Sequence, residues 1–177
     1  SDLKSAVKRE PLLIRYVNNQ TEKICIAAVK RNKYALQYVI NQTERMCKKA
    51  IKHDAMAMQY VTLQTPEICM LAIKMCPYVL EYIREQTPEL CMEAVRKNRC
   101  MLKYVIEQTP EICMEAVKNH GFALRYVKEQ TPEICLEAVR NSDLALWFVK
   151  EQTPEICMVA IMKDRYALQN IREHTYE

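Results

Sequence analysis

The stretch Gln64-Thr65-Pro66-Glu67-Ile68-Cys69 decides how the rest of the chain is read, because it returns at Gln86, Gln108, Gln130 and Gln152, each time 22 residues on. Versions without the proline, Gln20-Thr21-Glu22-Lys23-Ile24-Cys25 and Gln42-Thr43-Glu44-Arg45-Met46-Cys47, carry the register towards the N-terminus. His174-Thr175-Tyr176-Glu177 reads as the start of one more copy. Self-similarity at a fixed period marks a repeat array, in which each unit contacts and stabilises its neighbours. Eight units follow, at about residues 1–22, 23–44, 45–66, 67–88, 89–110, 111–132, 133–154 and 155–177, together one repeat domain. Neither end shows a polar capping element, so the sequence is expected to be a segment of a longer array.

Each unit reads as two short helices. Thr65 offers its hydroxyl to a free amide of the first turn, and Pro66 stands where a missing N–H costs nothing. Glu67 complements the positive end of the helix dipole and Lys74 the negative end. Ile68, Cys69, Ala72 and Ile73 fall on one face between them. A second capping position follows, filled by Asn32, Asp54, Asn98, Ser142 and Asp164, with Pro11 and Pro77 directly after it in two units. The second apolar stripe is Ala35, Leu36, Tyr38 and Val39, recurring as Val79, Leu80, Tyr82 and Ile83. Helices of about 9 residues do not persist alone in water, so stability must come from packing.

A continuous helix is the competing reading, since 22 is twice the 11-residue period of a right-handed supercoil. Pro66, Pro88, Pro110, Pro132 and Pro154 exclude it, because inside a helix each would cost roughly 3 kcal/mol. The expected fold is therefore all-α, an α-solenoid of stacked short helical hairpins.

Composition agrees. Half of the 177 residues are apolar and only one is glycine. No window approaches the roughly 18 uninterrupted apolar residues of a membrane span, and the first residues lack a signal-peptide core. Seven of the nine cysteines, Cys25, Cys47, Cys69, Cys91, Cys113, Cys135 and Cys157, share one repeat position. Helices packed roughly 8–10 Å apart hold such neighbours beyond the ~7 Å limit for a disulfide, so reduced thiols in an intracellular, reducing compartment are expected. The net charge of +4 is uneven: residues 1–64 hold 12 Lys or Arg against 5 Asp or Glu, and the remainder 14 against 17.

The pattern Gln-Thr-Pro-Glu-Ile-Cys, then Ala-Val-Lys, then Ala-Leu-x-Tyr-Val, as between Gln108 and Val127, resembles an uncharacterised repeat family, a domain of unknown function, found in giant DNA viruses and some bacteria. The resemblance covers essentially the whole chain. It implies a tandem repeat without an attached enzymatic activity, and a host cytoplasm if the chain is viral.

Recurrence between units separates positions fixed by stacking from those left free. The Cys column reads as small buried hydrophobes rather than a metal or redox site, since His53, His120 and His174 form no repeated partner to it. The Gln column falls where carbonyls ending the second helix lack partners, which its amides can bond. A Lys or Arg line, Lys8, Lys30, Lys52, Lys74, Arg96, Lys118 and Arg140, complements helix ends. No phosphate-binding glycine loop and no nucleophile–base pairing stands out, so neither an enzyme nor a cofactor is expected.

The free columns carry the functional expectation, a scaffold that binds a protein or peptide along an extended face. Met70, Met92, Met114, Leu136 and Met158 flank the first stripe and form an adaptable apolar surface. Trp147 beside Phe148 adds an anchor. Two alternatives stand beside it. One is nucleic-acid binding through the basic first units, with Lys8, Lys30, Lys48, Lys49 and Lys52 as phosphate contacts. The other is a structural spacer associating end to end.

Overall fold

A computed structural model describes residues 2–172, so the expected start of a further copy at His174 lies outside the described residues. The described residues form sixteen short helices and no strand, an all-α solenoid built from the 22-residue unit. Two compact units, Ser1–Gln86 and Thr87–Glu177, divide the chain.

In the first unit, α-helices α1 (Leu3–Arg9), α2 (Glu22–Val29), α3 (Glu44–His53) and α4 (Pro66–Met75) alternate with η1 (Pro11–Tyr16), η2 (Lys33–Tyr38), η3 (Ala55–Tyr60) and η4 (Pro77–Tyr82). The second unit repeats the order with α5 (Pro88–Lys97), η5 (Arg99–Tyr104), α6 (Pro110–Asn119), η6 (Gly121–Tyr126), α7 (Pro132–Asn141), η7 (Asp143–Phe148), α8 (Pro154–Lys163) and η8 (Arg165–Asn170). Within each unit the α-helices pack on one another in sequence, the η helices do the same, and the core lies between the two rows.

The η elements are 3₁₀ helices of six residues, shorter and tighter than the second helix expected from sequence. Their apolar pattern has a period of three. In a 3₁₀ helix residues i and i+3 eclipse, so Ala35 lies over Tyr38, and Leu36 over Val39 just past the helix end. Both columns turn inward: Ala35 and Leu36 are fully buried, Val39 is buried and Tyr38 half-buried. A rise of about 2.0 Å per residue also stretches six residues to roughly 12 Å, against roughly 15 Å for the ten-residue α-helix beside them.

The α-helices start as their sequence requires. All seven threonines of the repeated motif accept a hydrogen bond from the amide three residues on, as Thr65 does from Ile68 N at 3.3 Å. At the second capping position Asn32, Asp54, Asn98 and Asp164 each accept from the amide two residues on, at 2.9 Å. Ser142 makes no such bond, a departure from expectation. Its Cβ instead crowds Gly121, where an added Cβ would lie 3.0 Å from it and 2.3 Å from the carbonyl oxygen of Ala138.

Runs of 3₁₀ helix beyond three or four residues are uncommon, and here a side-chain ladder holds each one. Gln42 Nε2 donates to Leu36 O at 3.2 Å in its own repeat and to Tyr60 O at 2.8 Å in the next. Its Oε1 accepts from Thr62 N at 2.9 Å and from the Cys47 thiol at 3.4 Å. Gln108 reproduces the arrangement with Leu102 O, Tyr126 O, Lys128 N and Cys113. One amide thus closes the ends of two successive 3₁₀ helices, as the position of the Gln column suggested. No described residue adopts a positive φ, so these turns need no glycine.

A column not singled out in the sequence adds a second tie. Arg84 reaches back to Val61 O and Thr62 O, at 3.4 and 2.7 Å, and Lys128 to Val105 O and Ile106 O, at 3.1 and 2.8 Å. Lys150 bonds Lys128 O at 2.7 Å. Each cation meets carbonyls at the end of the preceding 3₁₀ helix. Ile40 occupies the same position in the first unit and is 68% exposed. Ile40→Arg is expected to raise, and Arg84→Ala to lower, the free energy of urea unfolding by about 1 kcal/mol each. Unchanged midpoints in both variants would remove this tie from the account.

Candidate functional site

Which residues are free to meet a partner follows from how each helix faces the core. In α4, Ile68, Cys69, Ala72 and Ile73 are buried, Met70 and Leu71 are half-buried on its flanks, and Glu67 and Lys74 point out. In η2, η3, η4, η6 and η7 two of the three columns are buried or half-buried and the third is turned outward, while Leu13 and Tyr16 of η1, Arg99 of η5, and Arg165 and Leu168 of η8 are exposed on a second column. In η5 to η8 that third column holds Cys100 with Lys103, Phe122 with Arg125, Leu144 with Trp147, and Tyr166 with Gln169.

The Cys column belongs to the interior. Cys25, Cys47, Cys69, Cys91, Cys113 and Cys135 are buried, and all nine cysteines are free thiols. Burial pushes the Cys47 and Cys91 thiols up to about 11. Such thiols remain protonated near neutral pH, and a protonated thiol is the form that donates to a Gln oxygen. Among the described residues no three His, Cys, Asp or Glu side chains come together as a metal-binding group.

The residues expected to bind a partner lie in different settings. Met70, Met92, Met114 and Leu136 are half-buried, whereas Met158 on α8 is 57% exposed. Trp147 belongs to the other row, on the outward column of η7, and is 65% exposed. Lys8, Lys30, Lys49 and Lys52 are exposed and Lys48 is half-buried, all on α1–α3 or at their C-terminal ends.

Around η5 and η6 the outward column borders a concavity of about 360 Å³, flanked by Arg99, Cys100, His120, Phe122, Arg125 and Tyr126. The Arg125 guanidinium lies 5.2 Å from the Tyr126 ring centroid and 5.7 Å from that of Phe148, and Phe122 meets Phe148 edge-on at 5.6 Å. Burial, and then the charge of Arg99, holds His120 below the usual histidine range, which favours its neutral form at pH 7. The sequence singled out Trp147 as a candidate anchor but not Leu144, Phe122 and Tyr166, which share its outward column. The signal was present as a period of three, which only a 3₁₀ helix turns into one outward column.

The pattern that defines a family described as a domain of unknown function (DUF4116) matches residues 44–87, 66–109, 87–131 and 109–153. These windows cover more than half of the chain, and each spans about two repeats. The chain belongs to this family. No curated protein and no solved structure shows significant similarity to it.

The off-column thiols Cys76 and Cys100 are half-exposed. Iodoacetamide at pH 8 is expected to label them roughly 100-fold faster than Cys47 and Cys91, whose thiolate fraction is small and whose access is closed. Peptide mass spectrometry over time checks this, and uniform labelling of the folded chain would contradict a buried Cys column.

Proposed function

For this member of a family of unknown function, we propose a non-enzymatic scaffold that binds an extended, acidic and apolar peptide segment of a partner protein. The segment lies along the outward column of η5 to η8. The observation that carries this reading is Trp147, a large ring 65% exposed on a rigid element, with Leu144 at 44% and Tyr166 at 61% in the same column. Exposed aromatics on a regular scaffold are strong interface anchors, because little side-chain freedom is lost when they are covered.

The partner's chemistry follows from the charge around the anchor. Arg99, Lys103, Arg125 and Arg165 on η5 to η8 are exposed, against a single carboxylate, Asp143. Lys103 and Arg125 rest over the rings of Tyr104 and Tyr126, which keeps their charges beside apolar surface. Apolar side chains of the segment meet Trp147, Leu144 and Phe122, and its carboxylates meet the flanking cations. The Met column has a secondary place in this reading, since four of its five members are half-buried.

Selection of a displayed library of random 16-residue peptides against the chain tests the proposal. Trp147 is the sole tryptophan, so its emission reports occupancy directly. The expected result is enrichment of peptides with Asp or Glu among large apolar residues, a shift in Trp147 emission on binding, and roughly 30-fold weaker binding to Trp147→Ala. No enrichment, or selected peptides that bind Trp147→Ala and Arg125→Ala as tightly as the parent, would refute it.

A further inference from the structure

The first unit carries a second surface, on the opposite row of helices, whose composition the repeat does not explain. α1 contributes Lys4 and Lys8. α2 contributes Lys23 near its start, with Lys30 at its C-terminal cap. α3 contributes Arg45, Lys48, Lys49 and Lys52. On α3 the spacing i, i+3, i+4, i+7 puts all four on one face, and α1, α2 and α3 pack side by side. Lys4, Lys8, Lys23, Lys30 and Arg45 line one shallow depression of about 350 Å³ together with Ile26, Ala27 and a single carboxylate, Glu22. Arg45, Lys48, Lys49 and Lys52 border another of about 450 Å³, with Glu44 its one carboxylate. Arg45 joins the two.

Few of these charges are neutralised. Glu22 lies 3.5 Å from Arg45, and Glu44 pairs with Lys48. No carboxylate of the described residues lies within ion-pair distance of Lys4, Lys8, Lys23, Lys30, Lys49 or Lys52.

Helix stability accounts for only some of them. Lys8, Lys30 and Lys52 stand at or beside C-terminal ends, where a cation complements the dipole. Lys23 and Arg45 stand second in α2 and α3, where a cation opposes it. The equivalent positions in the second unit hold Glu89, Glu111, Glu133 and Glu155, and the Lys49 position holds Glu93, Glu115 and Glu137. The scaffold therefore accepts acid at these places, and folds there with local pairs such as Arg96 with Glu115 at 3.5 Å. Only α2 and α3 replace those acids with base; α4 of the same unit already carries Glu67.

We propose that the outer face of α1, α2 and α3 binds the phosphate backbone of a nucleic acid, independently of sequence. An open row of cations, most of them unpaired, repeating from helix to helix suits a polymer with one charge per nucleotide, and binding gains from the release of its counterions. None of the residues bordering the two depressions is aromatic, so bases have nothing to stack on and the contacts are to phosphate. A duplex, which presents its phosphates outward, is the natural occupant.

Fluorescence anisotropy of the whole chain with a labelled 24-base-pair duplex of random sequence tests this. With four or five phosphate contacts, affinity should fall roughly 100- to 1000-fold between 50 and 200 mM salt. The triple variant Lys23→Glu, Arg45→Glu, Lys49→Glu installs the residues that the second unit already carries at these positions. It should keep its circular dichroism and unfolding midpoint while binding at least about tenfold more weakly, each lost contact also lowering the salt slope. Lys97→Glu with Lys118→Glu, in the second unit, should bind within twofold of the parent. Absence of binding at 50 mM salt, affinity insensitive to salt, or equal loss in both variants would overturn the proposal. So would polyglutamate competing as well as unlabelled duplex at equal charge, which would assign the face to acidic protein.

Discussion

A single side-chain amide, repeated every 22 residues, carries the join between successive 3₁₀ helices. Gln42 and Gln108 each use both N–H groups and their oxygen, bonding two carbonyls, one backbone amide and one thiol. Neither helix end could be left open without cost, because a buried or half-buried carbonyl without a partner forfeits roughly 1–3 kcal/mol. Among the described residues no buried side-chain nitrogen or oxygen lacks a partner. The same bonds account for three features that otherwise look unrelated: a Gln that recurs from Gln20 to Gln152, a Cys rather than an Ala or Val at the position five residues on, and six-residue 3₁₀ helices that would be marginal alone.

That join leaves the two rows with different freedoms. Buried alanines let the α-helices approach closely, and Ala28 through Ala160 of that column are fully buried. Outward positions on the α row are released from packing and take whatever charge the surface needs, base on α1 to α3 and mostly acid at the same places further on. The 3₁₀ row frees mainly one column in three, and on it the second unit collects half-buried Phe122 with exposed Leu144, Trp147 and Tyr166. Both proposed binding surfaces fall at positions where residue type varies from repeat to repeat while the backbone does not.

The repeat, its helical content and the starts of α2 to α8 were legible in the sequence, since threonine, proline and glutamate act locally at helix N-termini, whereas α1 is capped by Asp2, outside that motif. The Gln column was legible too, because its place beside open carbonyls follows from counting. The 3₁₀ character of the second helix was not, since the pattern Ala35, Leu36, Tyr38, Val39 fits a period of 3.6 over so few residues as well as one of 3.0. Missing that period hid Phe122, Leu144 and Tyr166, which share the outward column of Arg125, Trp147 and Gln169. The capping cations Arg84, Lys128 and Lys150 were hidden for another reason: Ile40, Thr62 and Ile106 interrupt their column, and their partners lie 22 or 23 residues back. Ser142 shows the limit of cap rules, as a good capping residue that makes no cap bond.

The most direct measurement is urea unfolding of Gln108→Glu against the parent chain at several pH values. A carboxylate at this position would face the carbonyls of Leu102 and Tyr126 with no N–H to offer them. The variant should be less stable by roughly 2–4 kcal/mol at pH 7, where two bonds are lost and a charge meets two oxygens. Those carbonyls and partial burial raise the carboxyl group's folded pKa above its unfolded value of about 4.3. The deficit is therefore full above the folded pKa and shrinks as pH falls towards and below the unfolded one, where a protonated carboxyl donates one bond. Stability equal to the parent at pH 7, or a deficit that does not change with pH, would contradict a Gln ladder as the tie between repeats.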